Sequence, residues 1–112
     1  MELIIEESET IKVVTFPDSN LDASNNKDFV QAMDPMLDQK VQIVFDMSRL
    51  RFVDSSGLGS IMLCLRRLTA SGGTLKLCGL SKSVHSLFEL VRMHKVFEIY
   101  KTKDEAIQAF QA

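Results

Sequence analysis

The sequence has two cysteines, no tryptophan and no long apolar run. Cys64 and Cys78 lack metal-ligand spacing and are too few for a disulfide scaffold, so we expect two buried free thiols and no metal site. The longest apolar stretch, Ile61 to Leu65, is far shorter than the roughly 18 residues of a membrane-spanning helix. The N-terminus lacks the basic start and apolar block of a secretory signal. These absences predict a soluble, cytoplasmic chain with no membrane role.

The motifs of the common enzyme classes are also missing. No G-x-x-x-x-G-K-[ST] phosphate loop occurs, and the G-x-G-x-x-G pattern of dinucleotide sites fails because Met62 stands in the third glycine's place. The segment Val53 to Gly57 is not the G-x-S-x-G elbow of a hydrolase. We interpret the isolated His85 and His94 as surface or packing residues. The sequence therefore indicates no cofactor site, and it disfavours both nucleotide chemistry and a catalytic triad.

The charges are nearly balanced overall but unevenly distributed. Thirteen basic and fifteen acidic residues give a net charge of −2, which argues against nucleic-acid binding. Residues 1–46 hold ten acids and three bases, a net of −7, and residues 47–112 hold five acids and ten bases, a net of +5. Two interpretations remain open, namely mixed charge on two faces of one domain and a charge-steered protein partner.

Length and composition fit one folded domain over residues 1–112. The chain is 46% hydrophobic and 25% charged, close to globular averages, and it has no repeat or linker. Alternating strands and helices after residue 17 predict an α/β fold with one mixed sheet of four to five strands and about four helices. The predicted strands are Leu3–Glu7, Ile11–Phe16, Val41–Met47, Leu50–Val53, Thr74–Cys78 and Phe97–Tyr100, and the helices begin near Ser24, after Asp54, at Ser81 and at Asp104.

The segment between the second and third predicted strands leads to two structural expectations. Asp18 to Asn26 is polar and rich in turn formers, so it predicts a loop that ends in a helix cap near Ser24. Pro35 falls within the following helical pattern and must bend or shorten that helix.

The segment Asp54-Ser55-Ser56-Gly57-Leu58-Gly59 is the candidate site. It follows the central strand and opens a helix, and α/β folds place their sites beyond the carboxyl ends of the strands. Asp54 and the two serines suit helix capping, which is the simplest interpretation. Each glycine, however, costs about 1 kcal/mol relative to alanine inside a helix. We therefore expect something outside the helix to approach it closely.

The stretch from Val41 to Gly59, VQIVFDMSRLRFVDSSGLG, resembles the signature of STAS domains, specifically of bacterial anti-sigma factor antagonists. The resemblance extends over the leading hairpin, the Leu21-Asp22 loop, the Gly72-Gly73 turn and the Ser81 helix. It implies a non-catalytic switch protein whose partners are a serine-kinase anti-sigma factor and a metal-dependent serine phosphatase. The unphosphorylated form binds the kinase, phosphorylation releases it, and the phosphatase restores it. The family's phosphorylated serine falls on Ser55.

The resemblance and the helical pattern together define a partner surface. Asp22 matches a family residue that contacts the kinase near its nucleotide, although Pro17 to Asn20 replaces a glycine usual in that loop. Asp54 orients the Ser55 hydroxyl, reinforces repulsion or simply caps the helix. The wheel turns Leu58, Ile61, Met62, Leu65 and Leu68 inward and places Leu63 outward among Gly59, Ser60, Arg66, Arg67 and Ala70. The predicted partner-binding residues are Asp22, Asp54, Ser56, Gly57, Gly59, Ser60, Leu63 and Arg67.

Two other functions remain open at this point. The chain could be a STAS accessory subunit of a transport or stress-signalling complex, although the complete Asp-Ser-Ser-Gly-Leu-Gly segment favours a kinase target. A hydrolase would have to use Ser55 with a distant histidine, an arrangement that no motif supports.

Overall fold

The computed structural model describes residues 1–111 and alternates strands with helices along the chain. The strands are β1 (Ile4–Ser8), β2 (Ile11–Thr15), β3 (Asn20–Leu21), β4 (Gln42–Asp46), β5 (Phe52–Val53), β6 (Thr74–Cys78) and β7 (Glu98–Tyr100). The helices are α1 (Asn26–Leu37), α2 (Ser55–Ala70), α3 (Lys82–Leu90) and α4 (Lys103–Gln111), and a 3-10 turn at Met93–Lys95 leads from α3 into β7. Within residues 1–111, no helix is both long and apolar enough to cross a membrane.

Over the described residues, the main sheet has five strands in the order β1-β2-β4-β6-β7. β1 and β2 form the predicted antiparallel hairpin, whereas β2, β4, β6 and β7 are parallel. Parallel neighbours require crossover connections, which α1, α2 and α3 provide. β4 is the central strand, and its Ile43, Val44 and Phe45 are fully buried, as a near-continuous apolar run predicts. This mixed sheet with four helices confirms the predicted α/β fold class.

A small second sheet lies outside the main one. β3 pairs in parallel with β5, so that Leu21 lies opposite Val53. The prediction that Asp18 to Asn26 is entirely loop is therefore wrong at β3, and so is the expectation of a single sheet. Two-residue strands are too short to show apolar alternation, and this pairing depends on contact between segments about thirty residues apart.

The core occupies both faces of the main sheet. On one face, under α1, α2 and α3, the rings of Phe16, Phe29 and Phe45 pack together with centroids 4.9 to 5.7 Å apart. On the other face α4 covers a smaller cluster that includes Cys78 and Ala106. Both cysteines are buried and free, as expected from the sequence. Burial raises the pKa of the Cys64 thiol to about 12.

α1 positions the loop that faces the candidate site. It begins after Asn25, one residue beyond the predicted cap at Ser24, and the Asn25 side chain accepts a hydrogen bond from the Asp22 N–H at 2.9 Å rather than from the first turn of the helix. Pro35 lies in the last turn, and the helix ends two residues later at Leu37. The proline therefore limits the length of the helix, as predicted.

Candidate functional site

Asp54 organises the start of α2. Its Oδ1 accepts a hydrogen bond from the Gly57 N–H at 2.8 Å, which confirms the predicted capping role. Its Oδ2 accepts from the Ala23 N–H at 3.2 Å, in the loop between β3 and α1. One carboxylate therefore fixes both the first turn of α2 and the neighbouring loop. The two predicted site segments, around residues 22 and 54, come together at the same edge of the fold.

Gly57 and Gly59 differ in their surroundings, although the sequence gives no reason to distinguish them. A Cβ added to Gly57 would lie 2.1 Å from the carbonyl oxygen of Leu21. The close approach expected from outside the helix is therefore made at Gly57 by β3 of the same chain. A Cβ on Gly59 would meet nothing within 4 Å, and Gly59 is exposed. Only Gly59 is therefore open to a close approach from outside.

Ser55 is the first residue of α2 and is exposed. The first backbone N–H groups of a helix have no partner within the helix and, with the helix dipole, favour an anion. Asp54 already satisfies one of them through Gly57. An additional negative group on Ser55 would stand at the positive end of a sixteen-residue helix. Ser56, the next residue, is half-buried and faces α1.

Asp22 is held by its own loop. Its Oδ1 accepts from the Ser24 N–H at 2.9 Å and from the Ser24 hydroxyl, and its Oδ2 accepts from the Asn20 amide at 2.9 Å. The hydrogen bonds from Ser24, from its hydroxyl first, hold the pKa of the Asp22 carboxyl below its ordinary value. Asp22 is thus an ionised, half-exposed turn residue beside the start of α2.

A groove of about 570 Å³ runs between α1 and α2 beside Ser55. Its apolar side chains are Val30 and Leu63, and Leu63 is 37% exposed, as predicted. Four of the predicted partner-binding residues line it, together with polar residues of α1. The lining residues are Asn26, Lys27, Val30, Gln31, Asp34, Ser56, Gly59, Ser60 and Leu63.

The buried face of α2 is rotated from the predicted one. The buried residues are Gly57, Ser60, Ile61, Cys64 and Leu68. Leu58, Met62 and Leu65, predicted to point inward, are only half-buried, and Ser60, predicted to point outward, is 5% exposed and donates to the Gly57 carbonyl at 2.6 Å. At 100° per residue the shift is roughly 80°. Small residues let α2 pack closely, and a wheel drawn from large apolar residues misses them.

Arg67 binds within the chain. Its guanidinium donates to Asp38 through Nη2 at 2.7 Å and Nε at 3.2 Å, and to Asp34 through Nη1 at 2.7 Å. The hydrogen bonds from Arg67 lower the pKa of Asp38. Arg67 therefore ties α2 to α1 through the carboxylates of Asp34 and Asp38. The exposed arginine of this helix is Arg66.

Comparison with known proteins identifies the family. The STAS domain family matches residues 2–106. The chain belongs to the STAS domain family.

Relatives and solved structures agree with this assignment. The STAS domain is 32% identical over 65 residues to the anti-sigma F factor antagonist of Paenibacillus polymyxa and 30% identical over 70 residues to BtrV of Bordetella bronchiseptica. These matches cover 58% and 62% of this chain and 56% and 60% of the two relatives, less than two thirds of their lengths.

The same fold occurs in SpoIIAA, an anti-sigma factor antagonist that has been solved in two forms. For the unphosphorylated form the TM-score is 0.79 at 23% identity, covering 98% of this chain and 96% of that one. For the phosphorylated form, from Bacillus, the TM-score is 0.72 at 22% identity, covering 97% and 99%. At these identities the likeness establishes the fold.

The sequence prediction misses several residues of this surface of the STAS domain. Phe52 lies three residues before Ser55 and is 55% exposed. Its neighbour Val53 is buried, as alternation along a strand requires, but a two-residue strand is too short for the sequence to show which of the two points outward. The groove-lining Asn26 and Lys27 of α1 were missed for a different reason, because no sequence signal relates α1 to α2.

Proposed function

We propose that this STAS domain is an anti-sigma factor antagonist, controlled by phosphorylation of Ser55. The observation that supports it is the exposed serine at the first position of α2, between the Asp22 loop and the groove. The similarity of the chain to the anti-sigma F factor antagonist of Paenibacillus polymyxa supports the same role. The unphosphorylated protein binds a serine-kinase anti-sigma factor and so frees whatever that kinase sequesters. The role is regulatory rather than enzymatic, and its ATP-dependent cycle places the protein in the cytoplasm.

The cycle has two covalent steps. The Ser55 Oγ attacks the γ-phosphorus of ATP held by the kinase, the bond to ADP breaks, and the hydroxyl proton is lost. A metal-dependent serine phosphatase then directs water onto the phosphorus, which breaks the serine ester and releases inorganic phosphate. The chain itself supplies only the serine and the surface around it.

The added charge acts on binding rather than on folding. Phosphoserine brings about −1.5 to −2 charges near neutral pH. Because Ser55 is exposed at a helix N-terminus, those charges are tolerated by the helix. They would add to the carboxylates of Asp54 and Asp22 at the same edge, and like charge facing a partner carboxylate costs several kcal/mol. The bound kinase is therefore released without refolding of the domain.

The partner surface is smaller than the predicted set. Asp22, Asp54, Ser56, Gly59 and Leu63 are at least partly accessible, and we propose that they contact the kinase. The remaining members act indirectly, because Gly57 lets α2 approach β3, Ser60 is 5% exposed and bonds within α2, and Arg67 holds α1 beside α2.

Capture experiments with matched serine variants test the proposal. Ser55→Ala should retain a kinase persistently, and Ser55→Asp should retain little of it while keeping the circular dichroism of the wild type. Ser86→Ala, at an exposed serine of α3, is the control and should behave like the wild type. With the purified kinase, ATP and Mg²⁺, mass spectrometry should place the phosphate on Ser55.

The outcomes separate the alternatives. A phosphate found on Ser56, or on no residue, would reject the assignment of Ser55. The accessory-subunit function is correct instead if the captured proteins belong to a transport or stress-signalling complex and if all three serine variants capture the same amount of them as the wild type.

A further inference from the structure

The exposed large apolar side chains occur in three places on the described surface. Phe52 and Leu63 border the site at α2. Of the other five, Ile4 and Ile5 lie on β1, the edge strand on one side of the main sheet, and Leu90, Val91 and Val96 lie in the segment that leads from the end of α3 into β7, the edge strand on the other side. Leu90 is 81% exposed. Exposed apolar clusters of this kind typically mark contact surfaces.

The β1 edge is acidic. Its exposed carboxylates are those of Glu2, Glu6, Glu7 and Glu9. Lys12 lies 3.6 Å from Glu7, and Lys103 lies 4.0 Å from Glu6. Two cations therefore stand against four carboxylates around Ile4 and Ile5, which we define together with the four glutamates as the acidic edge.

The β7 edge is basic. Among the described residues, no carboxylate lies within 4.0 Å of the exposed Arg92, Lys95 or Lys101. Of the carboxylates on the flanking elements, Glu98 pairs with the buried Lys76 and Glu89 with His85, while Asp104 and Glu105 lie in the first turn of α4. We define the three cations, with Leu90, Val91 and Val96, as the basic edge. The acidic edge belongs to the acidic first half of the sequence, and the basic edge belongs to the basic second half.

We propose that the acidic edge of one molecule docks against the basic edge of a second copy. The charges are complementary, and each edge supplies exposed aliphatic side chains to bury. Two acidic edges would repel each other, which disfavours a symmetric contact through β1. A copy added in the same orientation brings β1 alongside β7 in the antiparallel sense, because β1 runs opposite to the other four strands. This is a head-to-tail contact, so a pair keeps one free acidic edge and one free basic edge and can add further copies.

Analytical ultracentrifugation of the purified protein tests this contact and needs no kinase. At low ionic strength the average mass should rise above the monomer's 12.6 kDa as the concentration increases, without a plateau at the dimer. It should return to the monomer value in about 1 M NaCl, where the Debye length falls to about 3 Å.

Charge reversal gives the sharper test. The acidic-edge variant Glu6→Lys/Glu7→Lys and the basic-edge variant Lys95→Glu/Lys101→Glu should each remain monomeric, because each carries two edges of one sign. An equimolar mixture of the two should associate again. The control Arg51→Glu/Arg66→Glu changes the net charge as the basic-edge variant does but alters neither edge, so it should associate like the wild type.

Renewed association in the mixture would show that each variant is monomeric because of its charges and not because it is less stable. Circular dichroism checks that both variants are folded. A wild type that stays monomeric at millimolar concentration and low salt would overturn the proposal. So would a mixture of folded variants that stays monomeric, or an association that stops at a dimer. None of these results depends on phosphorylation of Ser55.

Discussion

Gly57→Ala should destabilise the domain, and the clash that it creates sets the expected loss in the free energy of unfolding. The new Cβ would lie 2.1 Å from the carbonyl oxygen and 2.7 Å from the carbonyl carbon of Leu21. Ordinary contacts lie near about 3.5 Å, so α2 and β3 must move apart. Since both clashing atoms are backbone, we expect a loss at the upper end of the usual range for overpacking, about 3 kcal/mol. Alanine recovers about 1 kcal/mol in helix propensity, which leaves a net loss of about 2 kcal/mol.

Gly59→Ala is the matched control, two residues further along the same helix. An added Cβ meets nothing within 4 Å there, so only the propensity gain of about 0.5 to 1 kcal/mol remains and the variant should be stabilised. Urea unfolding measures the stability of both variants, because a shift of the unfolding midpoint without a change in the slope of free energy against urea concentration reports a change in stability. If Gly57→Ala proves as stable as Gly59→Ala, Leu21 does not approach α2 as described, and the packing of β3 beside the site is wrong.

Three further predictions concern α2. Ile61→Ala should lower the free energy of unfolding by about 2 to 5 kcal/mol and Leu63→Ala by at most about 0.5 kcal/mol, and the reverse order in urea unfolding would mean that the helix is rotated from this orientation. Because the pKa of Asp38 is lowered from 3.8, its pair with Arg67 stabilises the fold above that pH and is lost as the pH falls through the folded-state pKa. The stability difference between wild type and Arg67→Gln should therefore shrink from pH 7 to pH 3, and a constant difference would contradict the pairing. Cys64, buried with its pKa raised to about 12, should react with a thiol reagent at pH 8 only after denaturant is added, so fast labelling of the native protein would contradict its burial.

The fold could be predicted from the sequence where the signal is local. The apolar run of β4 and the hairpin of β1 and β2 depend on neighbours in the chain, and the structure confirms them. β3 could not be predicted, because two residues show no periodicity and the strand exists only through its pairing with β5.

The site was predicted in position but not in detail. The segment from Asp54 to Gly59 was placed correctly at the start of α2, since capping and glycine patterns are local signals. The orientation of α2 was wrong because close packing by Ser60 and Cys64 decides which face is buried, and small residues contribute little to an apolar pattern. The pairing of Arg67 with α1 depends on a contact about thirty residues away, which a single helix cannot indicate.

The affinity of the captured kinase for phosphorylated and unphosphorylated protein tests the central claim most directly. Titration calorimetry with the purified kinase, in the absence of ATP, compares the two forms under otherwise identical conditions. We expect tight binding of the unphosphorylated protein and a loss of at least about tenfold on phosphorylation of Ser55, which corresponds to about 1.4 kcal/mol. Equal affinities for two equally folded forms would contradict control of this STAS domain through Ser55.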